Sequence, residues 1–355
     1  MKIVITVSQI TPGGGLSKYI CTLADILTKD TNNQVYVLTT HASEVNPQLE
    51  QLKEERNVQH ISLGELPTFK KYFALVSQLR KISPDVVINN YNATTQYILP
   101  FLPKKTKIVH ILHNNTDDFY RVAAINGRYV DKWIAPTPAL EHYFNSYTKC
   151  KYKDRVITIP HAVDEASAEI CKKVSKVIQL TFVGVLYEHK GVLILPEVIK
   201  RLVDKDYRFH FTFIGEGILR NDLETELKDE INAGIVEFTG RIAGDEVYRK
   251  LQQTDIFVYP THIDAFGLVI AEAMMNGAIP VVTCLKGITD TIVDDAVNGY
   301  LVVQDDIPVF VERISALMEN EDVRRTMHQA AIEKANRCFS KAVMRENYLK
   351  MISSL

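Results

Sequence analysis

The hydrophobic residues of this chain fall into short runs that alternate with longer amphipathic stretches. The runs are rich in Val, Ile and aromatic residues, and the stretches between them have helical spacing. This alternation is typical of βα units around parallel sheets. In the first half the expected strands are 3–7, 35–39, 58–63, 86–89, 108–112, 133–135 and 156–159, with helices that include 15–27, 68–81 and 138–147.

The alternation stops at residues 161–175, which are polar and rich in Ala, so we interpret them as a linker. The pattern therefore predicts two domains, 1–165 and 166–339, and a length of 355 residues exceeds the size at which a single core usually stops growing. In the second half the expected strands are 180–183, 210–214, 236–239, 256–259, 279–282 and 300–303, and the closing helices are 308–318, 322–336 and 340–352.

The amino-acid composition mainly excludes several classes of protein. Hydrophobic residues make up 46% and charged residues 24%, so the chain does not belong to the disordered class. The five cysteines are odd in number and far apart, which argues against a disulfide framework and favours a reducing cytosol. No apolar run approaches the length of a transmembrane helix, and the first one is too short for a signal peptide.

The net charge of −2 conceals an uneven distribution of charge along the chain. The first half has an excess of Lys and Arg, with basic clusters at 70–71, 80–81, 104–107 and 149–155. Two interpretations stay open: solvated basic faces, or attraction to an anionic membrane surface or an anionic acceptor. We expect no nucleic-acid partner.

The most informative segment is 260–282, where a loop with Asp264 leads from an expected strand into an apolar helix near 266–276. A helix that begins at the carboxyl end of a strand can hold phosphate with its free N–H groups. Glu272 is the only charge of that helix and lies about one turn from Leu268. Its carboxylate needs partners, which two ribose hydroxyls would supply. The alternative is a structural glutamate that caps a neighbouring backbone.

Two loops after expected strands carry glycines that let a ligand approach the backbone closely. Gly184 opens the loop 184–191, which also contains Lys190, and Gly14 and Gly15 separate the first strand from the first helix. The spacing of the second loop is not G-x-G-x-x-G, which argues against a dinucleotide site.

A histidine and a pair of carboxylates complete the candidate chemistry. His113 directly follows the strand 108–112, whereas His110 lies inside it and is interpreted as a satisfied core residue. The only D-x-D sequence, Asp204 to Asp206, is interpreted as a turn. Since no His, Cys and Asp cluster has metal-ligand spacing, we expect no metal.

The segment with Asp264 and Glu272 resembles the E-x7-E signature of the retaining, GT-B fold glycosyltransferases of family four. Seven residues separate the two carboxylates, and Asp264 replaces the usual Glu. The loop 184–191 resembles the family's G-R-L-x-x-x-K-G loop, with Lys190 retained and Val185 in the place of Arg.

The resemblance implies an α/β protein with two Rossmann-like parallel-sheet domains facing across a cleft. The second domain would bind the donor nucleotide sugar, the first would bind the acceptor, and the last helix, 340–355, would cross back to the first. Catalytic roles fall to Asp264 and His113 at the sugar and to Lys190 at the leaving diphosphate, without a metal cofactor. The donor contacts implied are Gly14, Gly15, Gly184, Lys190, Gly215, Arg241, Phe266, Gly267, Leu268 and Glu272.

We therefore expect a cytoplasmic hexosyltransferase, in peripheral contact with the membrane through its first domain. Its donor would be a nucleoside diphosphate sugar, with UDP-sugars slightly favoured. Its acceptor would be a glycan or a lipid-linked glycan in bacterial surface polysaccharide or glycolipid synthesis. Two alternatives stay open: a nucleotide-sugar epimerase, which needs no acceptor, and a non-catalytic nucleotide-sugar-binding protein, suggested by the departures at Asp264 and Val185.

Overall fold

The computed structural model describes residues 1–12, 14–165 and 177–355. The chain divides into two compact units, Met1–Ala162 with Lys341–Leu355 (unit 1) and Val163–Ser340 (unit 2). These boundaries lie close to the expected divisions after residues 165 and 339. Residues 166–175 of the expected linker lie outside the described residues.

In the described part of the chain each unit contains one parallel sheet, and the two sheets together have thirteen strands. The strands of unit 1 are β1 (Lys2–Val7), β2 (Gln34–Thr39), β3 (Val58–Ser62), β4 (Val86–Asn90), β5 (Lys107–Ile111), β6 (Lys132–Ala135) and β7 (Val156–Thr158). Those of unit 2 are β8 (Ile178–Val183), β9 (Phe209–Ile214), β10 (Val236–Gly240), β11 (Ile256–Tyr259), β12 (Ile279–Thr283) and β13 (Tyr300–Val302). The strand orders are β3-β2-β1-β4-β5-β6-β7 and β10-β9-β8-β11-β12-β13.

Helices connect the strands of both sheets, as parallel pairing requires. They are α1 (Gly15–Thr28), α2 (Pro47–Glu55), α3 (Thr68–Ile82), α4 (Ala93–Ile98), α5 (Asp117–Ala124), α6 (Pro138–Tyr147), α7 (Leu195–Asp204), α8 (Arg220–Glu226), α9 (Lys228–Asn232), α10 (Gly244–Gln253), α11 (Leu268–Met275), α12 (Ile307–Glu319), α13 (Glu321–Phe339) and α14 (Lys341–Ser353). None of those in the described part of the chain combines the length and the apolarity needed to span a bilayer.

Each strand and helix expected from the sequence corresponds to an observed element, and its two ends lie within three residues of the observed ends. The agreement follows from burial, because strands covered on both faces appear as continuous apolar runs. Local signals fix several helix starts. Asn92 accepts a hydrogen bond from the amide of Thr95 at 3.1 Å, and Thr137 accepts one from the amide of Leu140 at 3.4 Å. Both are preferred N-cap residues.

The C-terminal helix α14 is part of the core of unit 1. Tyr348 and Met344 are buried, and the hydroxyl of Tyr348 is hydrogen-bonded to that of Tyr19 on α1. Arg345 also donates to the carbonyl of Lys29 at 2.9 Å. A buried tyrosine contributes a large apolar area and needs a partner for its hydroxyl, so the Tyr19–Tyr348 contact fixes how α14 packs on α1.

Helix α11 is buried in the core of unit 2. Ile270, Ala273 and Met274 of α11 are fully buried, and the helix packs against α13, whose Ala331 and Ala335 are also fully buried. Small side chains on α13 let the two helix axes approach closely. The expectation that this apolar helix is buried is therefore confirmed for most of its residues.

Candidate functional site

The loops that follow β8, β9 and β10 converge at one edge of the sheet of unit 2. The amide of Gly184 donates a hydrogen bond to the carbonyl of Ile214 at 3.0 Å, and the amide of Gly215 donates one to the carbonyl of Gly240 at 3.0 Å. Gly215 has a φ of +139°, and a Cβ there would lie 1.9 Å from the carbonyl oxygen of Gly184. Gly184 and Gly215 thus lie together, and the close approach of the two backbones requires a glycine at position 215.

Lys190 is held at this edge by the turn that precedes Gly191. The lysine ends a 3₁₀ turn, and Gly191 has a φ of +67° that reverses the chain. A Cβ on Gly191 would lie 1.8 Å from the carbonyl oxygen of Pro260, so the loop after β8 packs directly on the loop after β11. This contact brings Lys190 next to Asp264.

The side chains of Lys190, Tyr259 and Asp264 form one hydrogen-bonded group, the Lys-Tyr-Asp group. Lys190 Nζ donates to Tyr259 Oη at 2.8 Å and to Asp264 Oδ2 at 3.0 Å, and Tyr259 Oη donates to Asp264 Oδ2 at 2.9 Å. Lys190 and Asp264 are only 17% and 16% exposed. The ion pair therefore lies in a region of reduced solvent screening.

The other oxygen of Asp264 caps the turn before α11. Asp264 Oδ1 accepts hydrogen bonds from the amides of Ala265, Phe266 and Gly267, at 2.8, 3.3 and 3.0 Å. Burial, the largest single effect, would raise the pKa of Asp264. The charge and hydrogen bond of Lys190 and the hydrogen bonds from Tyr259 and the Phe266 amide together outweigh it, so the pKa is lowered. A carboxylate has about four lone-pair sites, so protein donors already occupy this one fully.

Tyr259 was missed by the sequence reasoning. It is the last residue of β11 and is 2% exposed, and burial raises the pKa of its phenol well above the usual value. Its hydroxyl is therefore a neutral donor to Asp264. A polar tip at the end of an otherwise apolar strand, one residue before a proline, is the signal that could have pointed to it.

Helix α11 begins at Leu268, two residues later than expected. Gly267 precedes it with a φ of +91°. The side chain of Phe266 is in the core, edge-on to Phe339 with ring centroids 5.7 Å apart, so a ligand contact of Phe266 is limited to its backbone. Among the described residues the amide of Leu268 has no hydrogen-bond acceptor, so it is an N–H group that the helix end offers to an anion.

Glu272 lies on α11 opposite Tyr248 of α10. Tyr248 Oη is 3.1 Å from Glu272 Oε1 and 3.2 Å from Asp164 Oδ2. A hydroxyl carries one hydrogen, so it donates to one of the two carboxylates at a time. The expected ribose contact of Glu272 stays a prediction, and the contact that the structure shows for its carboxylate is with the hydroxyl of Tyr248. Sequence reasoning missed Tyr248 and placed Asp164 in a linker.

Arg241 follows β10 and is exposed. Phe238, on the same strand, stacks on Phe213 with ring centroids 4.4 Å apart and packs on the core. The carbonyl of Gly240 accepts from Gly215, which ties this strand end to the same edge of the sheet. Contact of Arg241 with a nucleotide stays a prediction.

In unit 1, Gly14 and Gly15 form the start of α1. Gly14 is the N-cap residue with a φ of −86°, which most residue types can adopt, and Gly15 is the first helical residue. No side chain caps this helix end. The backbone conformation at Gly14 therefore does not require a glycine, and Gly13 lies outside the described residues.

His113 is oriented by a side-chain amide and two rings. Its Nε2 lies 2.9 Å from Asn90 Oδ1, and its ring packs against Tyr19 and His161 with centroids 5.0 and 5.7 Å apart. Burial lowers the pKa of His113 to about 3. The imidazole is therefore neutral, with its hydrogen assigned to Nε2 by the Asn90 acceptor.

Residues 161–163 connect the two units, as expected of a linker, but they are packed against the protein. His161, Ala162 and Val163 are buried, and the ring of His161 lies 4.4 Å from that of Tyr19. Burial lowers the pKa of His161 well below the usual value, and the charge of His113 would lower it further. The polar residues around this segment concealed its packing in the sequence.

His110 is buried inside β5 as expected. Its Nδ1 lies 2.9 Å from Gln96 Oε1, and burial lowers its pKa to about 3. Its Nε2 has no hydrogen-bond partner among the described residues, so the expectation of a fully satisfied histidine is wrong for one nitrogen. No group of three or more His, Cys, Asp or Glu side chains in the described part of the chain is arranged to hold a metal ion.

Two family models match this chain. Residues 163–334 match the model of glycosyl transferases group 1, and residues 13–167 match that of Glycosyltransferase Family 4. The chain is 27% identical to an uncharacterized glycosyltransferase of Methanocaldococcus jannaschii, over 77% of this chain and 80% of the relative. It is 22% identical to an α-1,4-N-acetyl-D-galactosaminyltransferase of Campylobacter jejuni, whose named substrate is an undecaprenol-linked glycan, over 100% of this chain and 99% of the relative.

Solved structures show the same fold. HepE of Anabaena in complex with UDP and glucose has a TM-score of 0.78 at 17% identity, with 100% of both chains covered. TarM of S. aureus, in a complex that includes UDP, has a TM-score of 0.79 at 14% identity, with 99% of both chains covered. Together with the parallel sheets of seven and six strands, these similarities define a GT-B glycosyltransferase. The chain belongs to the glycosyl transferases of group 1, whose model matches residues 163–334. Its first region, residues 13–167, belongs to Glycosyltransferase Family 4.

Proposed function

We propose that the protein is a retaining hexosyltransferase that uses a nucleoside diphosphate sugar, with a UDP-sugar favoured as donor. The observation that carries this proposal is the Lys-Tyr-Asp group at the edge of the unit 2 sheet, directly before the N-terminus of α11. This group combines a cation with a neighbouring helix end, and both would stabilise a bound diphosphate. Complexes of relatives of the same fold contain UDP.

Lys190 supplies the charge that the departing diphosphate requires. The bond between the sugar C1 and the diphosphate oxygen breaks, and its electron pair stays on that oxygen. The acceptor oxygen forms the new bond to C1 on the same face, and its proton passes to the leaving phosphate. Lys190 and the amide of Leu268 stabilise the negative charge that develops, a role that preorganised donors perform without a metal ion. Val185 offers no charge here, so Lys190 carries more of this role.

Glu272 binds the ribose of the donor in this proposal. Its carboxylate already accepts a hydrogen bond from Tyr248, and a ribose hydroxyl would be a donor of the same kind. Asp264 holds Lys190 in place, because its two oxygens are engaged by Lys190, Tyr259 and three amides. The sugar contact implied by the family pattern would require Asp264 to exchange one of these donors.

Unit 1 binds the acceptor, and His113 acts there as a neutral hydrogen-bonding group near the sugar. We propose a glycan or lipid-linked acceptor in bacterial surface polysaccharide or glycolipid synthesis, since a relative named above acts on an undecaprenol-linked glycan. The enzyme would work in the cytoplasm in peripheral contact with the membrane.

The first experiment is thermal unfolding with UDP, GDP, ADP or dTDP in EDTA. A ligand at a hundred times its dissociation constant adds about 2.7 kcal/mol to the free energy of unfolding. We expect UDP to raise the midpoint most. No shift with any nucleotide would contradict the donor site, and a shift that appears only with Mg²⁺ or Mn²⁺ would contradict the metal-free mechanism.

Turnover then separates transfer from its alternatives. With a UDP-sugar and a short lipid-linked glycan, we expect UDP release that depends on the acceptor, and a product whose anomeric configuration, read by NMR, equals that of the donor. A changed sugar on the nucleotide without acceptor would indicate an epimerase. Binding without any turnover across donors and acceptors would indicate a binding protein.

A further inference from the structure

The outward face of α3 is apolar, although its inward face already packs on unit 1. Leu75 and Leu79 are buried on the inner side. Phe69 and Phe73 are 64% and 78% exposed, and Val76, three residues further on, lies on the same outer face. A surface helix normally has one apolar stripe, so a second one that faces solvent indicates a surface that binds something.

Two further aromatic residues extend this surface. Tyr97 and Phe101 are 48% and 61% exposed. The ring of Tyr72 on α3 meets that of Tyr97 edge-on, with centroids 6.2 Å apart, and Arg80 Nη2 donates to the carbonyl of Phe101 at 3.3 Å. These contacts make α3 a neighbour of the segment that carries Tyr97 and Phe101. The exposed side chains of Phe69, Phe73, Tyr97 and Phe101 are here called the aromatic face.

The two segments that build the aromatic face contain basic residues and no acidic ones. Residues 67–82 have four Lys or Arg and no Asp or Glu, and residues 93–107 have three Lys and no Asp or Glu. Lys71 is buried, and Lys107 pairs with Asp131 at 3.4 Å. The exposed basic residues that remain are Lys70, Arg80, Lys81, Lys104 and Lys105.

We propose that the aromatic face docks on the surface of an anionic phospholipid bilayer. The exposed phenylalanines would enter the boundary between headgroups and acyl chains, and the surrounding cations would neutralise lipid phosphates. A second copy of the chain is a poorer occupant, because a two-fold contact would place two sets of these cations against each other. The proposal rests on the peripheral membrane contact of the proposed function and assigns that contact to named residues, and it can be tested without the transfer reaction.

The test is sedimentation of the full-length protein with vesicles. We expect binding to vesicles of phosphatidylcholine and phosphatidylglycerol, weaker binding to pure phosphatidylcholine, and release by salt. Phe69→Ser with Phe73→Ser should lower the partition coefficient at least tenfold, since two apolar side chains no longer leave water. Lys70→Gln with Lys81→Gln should lower it about thirtyfold on anionic vesicles.

Matched pairs of substitutions in unit 2 control for surface polarity and net charge. Val297→Ser with Val303→Ser removes two exposed apolar side chains, and Lys228→Gln with Lys286→Gln removes two exposed charges. Neither pair should change vesicle binding. Equal loss in the control pairs, or wild-type binding by the Phe69 and Phe73 variant, would overturn the proposal.

Two additional measurements keep the result unambiguous. Stabilisation of the Phe69 and Phe73 variant by UDP should equal that of the wild type, which shows that unit 2 is intact and separates this proposal from the donor site. The molecular mass in solution identifies the competing occupant. A dimer that dissociates in the same variant, together with no vesicle binding by the wild type, would assign the aromatic face to a second copy and overturn bilayer docking.

Discussion

The Lys-Tyr-Asp group is joined pairwise by hydrogen bonds, so the removal of one side chain deprives each of the other two of one partner. Substitution of Lys190 therefore tests the site. We expect Lys190→Ala to lower turnover by about a hundredfold, because one preorganised charge at the leaving diphosphate is lost. The thermal midpoint should also fall, because the Asp264 carboxylate stays mostly buried without its cation. Initial rates and thermal unfolding measure the two effects.

Lys228, an exposed lysine on α9, provides the matched control. Lys228→Ala should change neither turnover nor midpoint. Wild-type turnover in the Lys190→Ala enzyme would mean that another group neutralises the diphosphate.

Glu272 and Tyr248 separate a ribose role from a structural one. We expect Glu272→Ala to abolish the stabilisation by UDP with the fold intact, because the acceptor of the ribose hydroxyls is gone. Tyr248→Phe should retain UDP binding, because it removes only a protein donor that shares the same carboxylate. Isothermal titration measures both affinities. An unchanged affinity in Glu272→Ala would remove the ribose role and leave a glutamate that only anchors α10.

At the scale of elements, the packing of α14 on α1 determines the stability of unit 1. Tyr348 is 1% exposed, and we expect Tyr348→Ala to lower the free energy of unfolding by roughly 3–5 kcal/mol, as for other large-to-small core substitutions. Urea unfolding followed by fluorescence measures this, because the single tryptophan, Trp133, is buried in β6 and reports on unit 1.

Lys350 lies on the same helix and is exposed, so Lys350→Ala is the control and should leave the transition unchanged. An unchanged transition in Tyr348→Ala would mean that α14 contributes little to unit 1.

The elements themselves could be predicted from sequence, because buried parallel strands and amphipathic helices have distinct apolar periods. The start of α11 could not, since Gly267 takes a positive φ and Asp264 caps the turn before the helix, and neither affects the apolar pattern. The fold of residues 161–163 was also hidden, because His161 is buried by ring contacts with residues distant in the sequence.

The candidate site was predictable where the loops that follow β8 and β11 resemble the motifs of family-four glycosyltransferases. Lys190 and Asp264 were found in this way, and the structure brings them within 3.0 Å of each other. Tyr259 and Tyr248 were not found, because a tyrosine in a strand or helix resembles core in sequence. The tertiary contacts of its hydroxyl establish its polar role. The engagement of Asp264 by five donors is likewise a property of the folded loop.

For the whole molecule, we expect unit 1 to lose stability before unit 2 on acidification. Burial lowers the pKa of His110 and His113 to about 3 and that of His161 well below its usual value. These imidazoles stay neutral when folded but bind protons when unfolded, so stability is lost as the pH falls from 6.5 towards 3. The pKa of Asp264 in unit 2 is lowered, so its contribution is lost only below 3.8.

Urea unfolding at neutral pH and at about pH 5 tests this order, with Trp133 fluorescence for unit 1 and circular dichroism for the whole chain. We expect the fluorescence midpoint to fall more than that of the remaining dichroism transition. Equal shifts would contradict neutral, buried histidines.

Because α14 packs in unit 1, although it is the last helix of the chain, it affects the order in which the two units fold during synthesis on the ribosome. Unit 2 is continuous in sequence from Val163 to Ser340 and can complete its sheet as soon as those residues have emerged. Unit 1 is synthesised first but lacks the helix that covers α1 until residues 341–355 have been translated. A premature stop codon in those last residues would thus leave the nascent first unit with an apolar stripe uncovered, and we expect such products to be retained by chaperones or degraded.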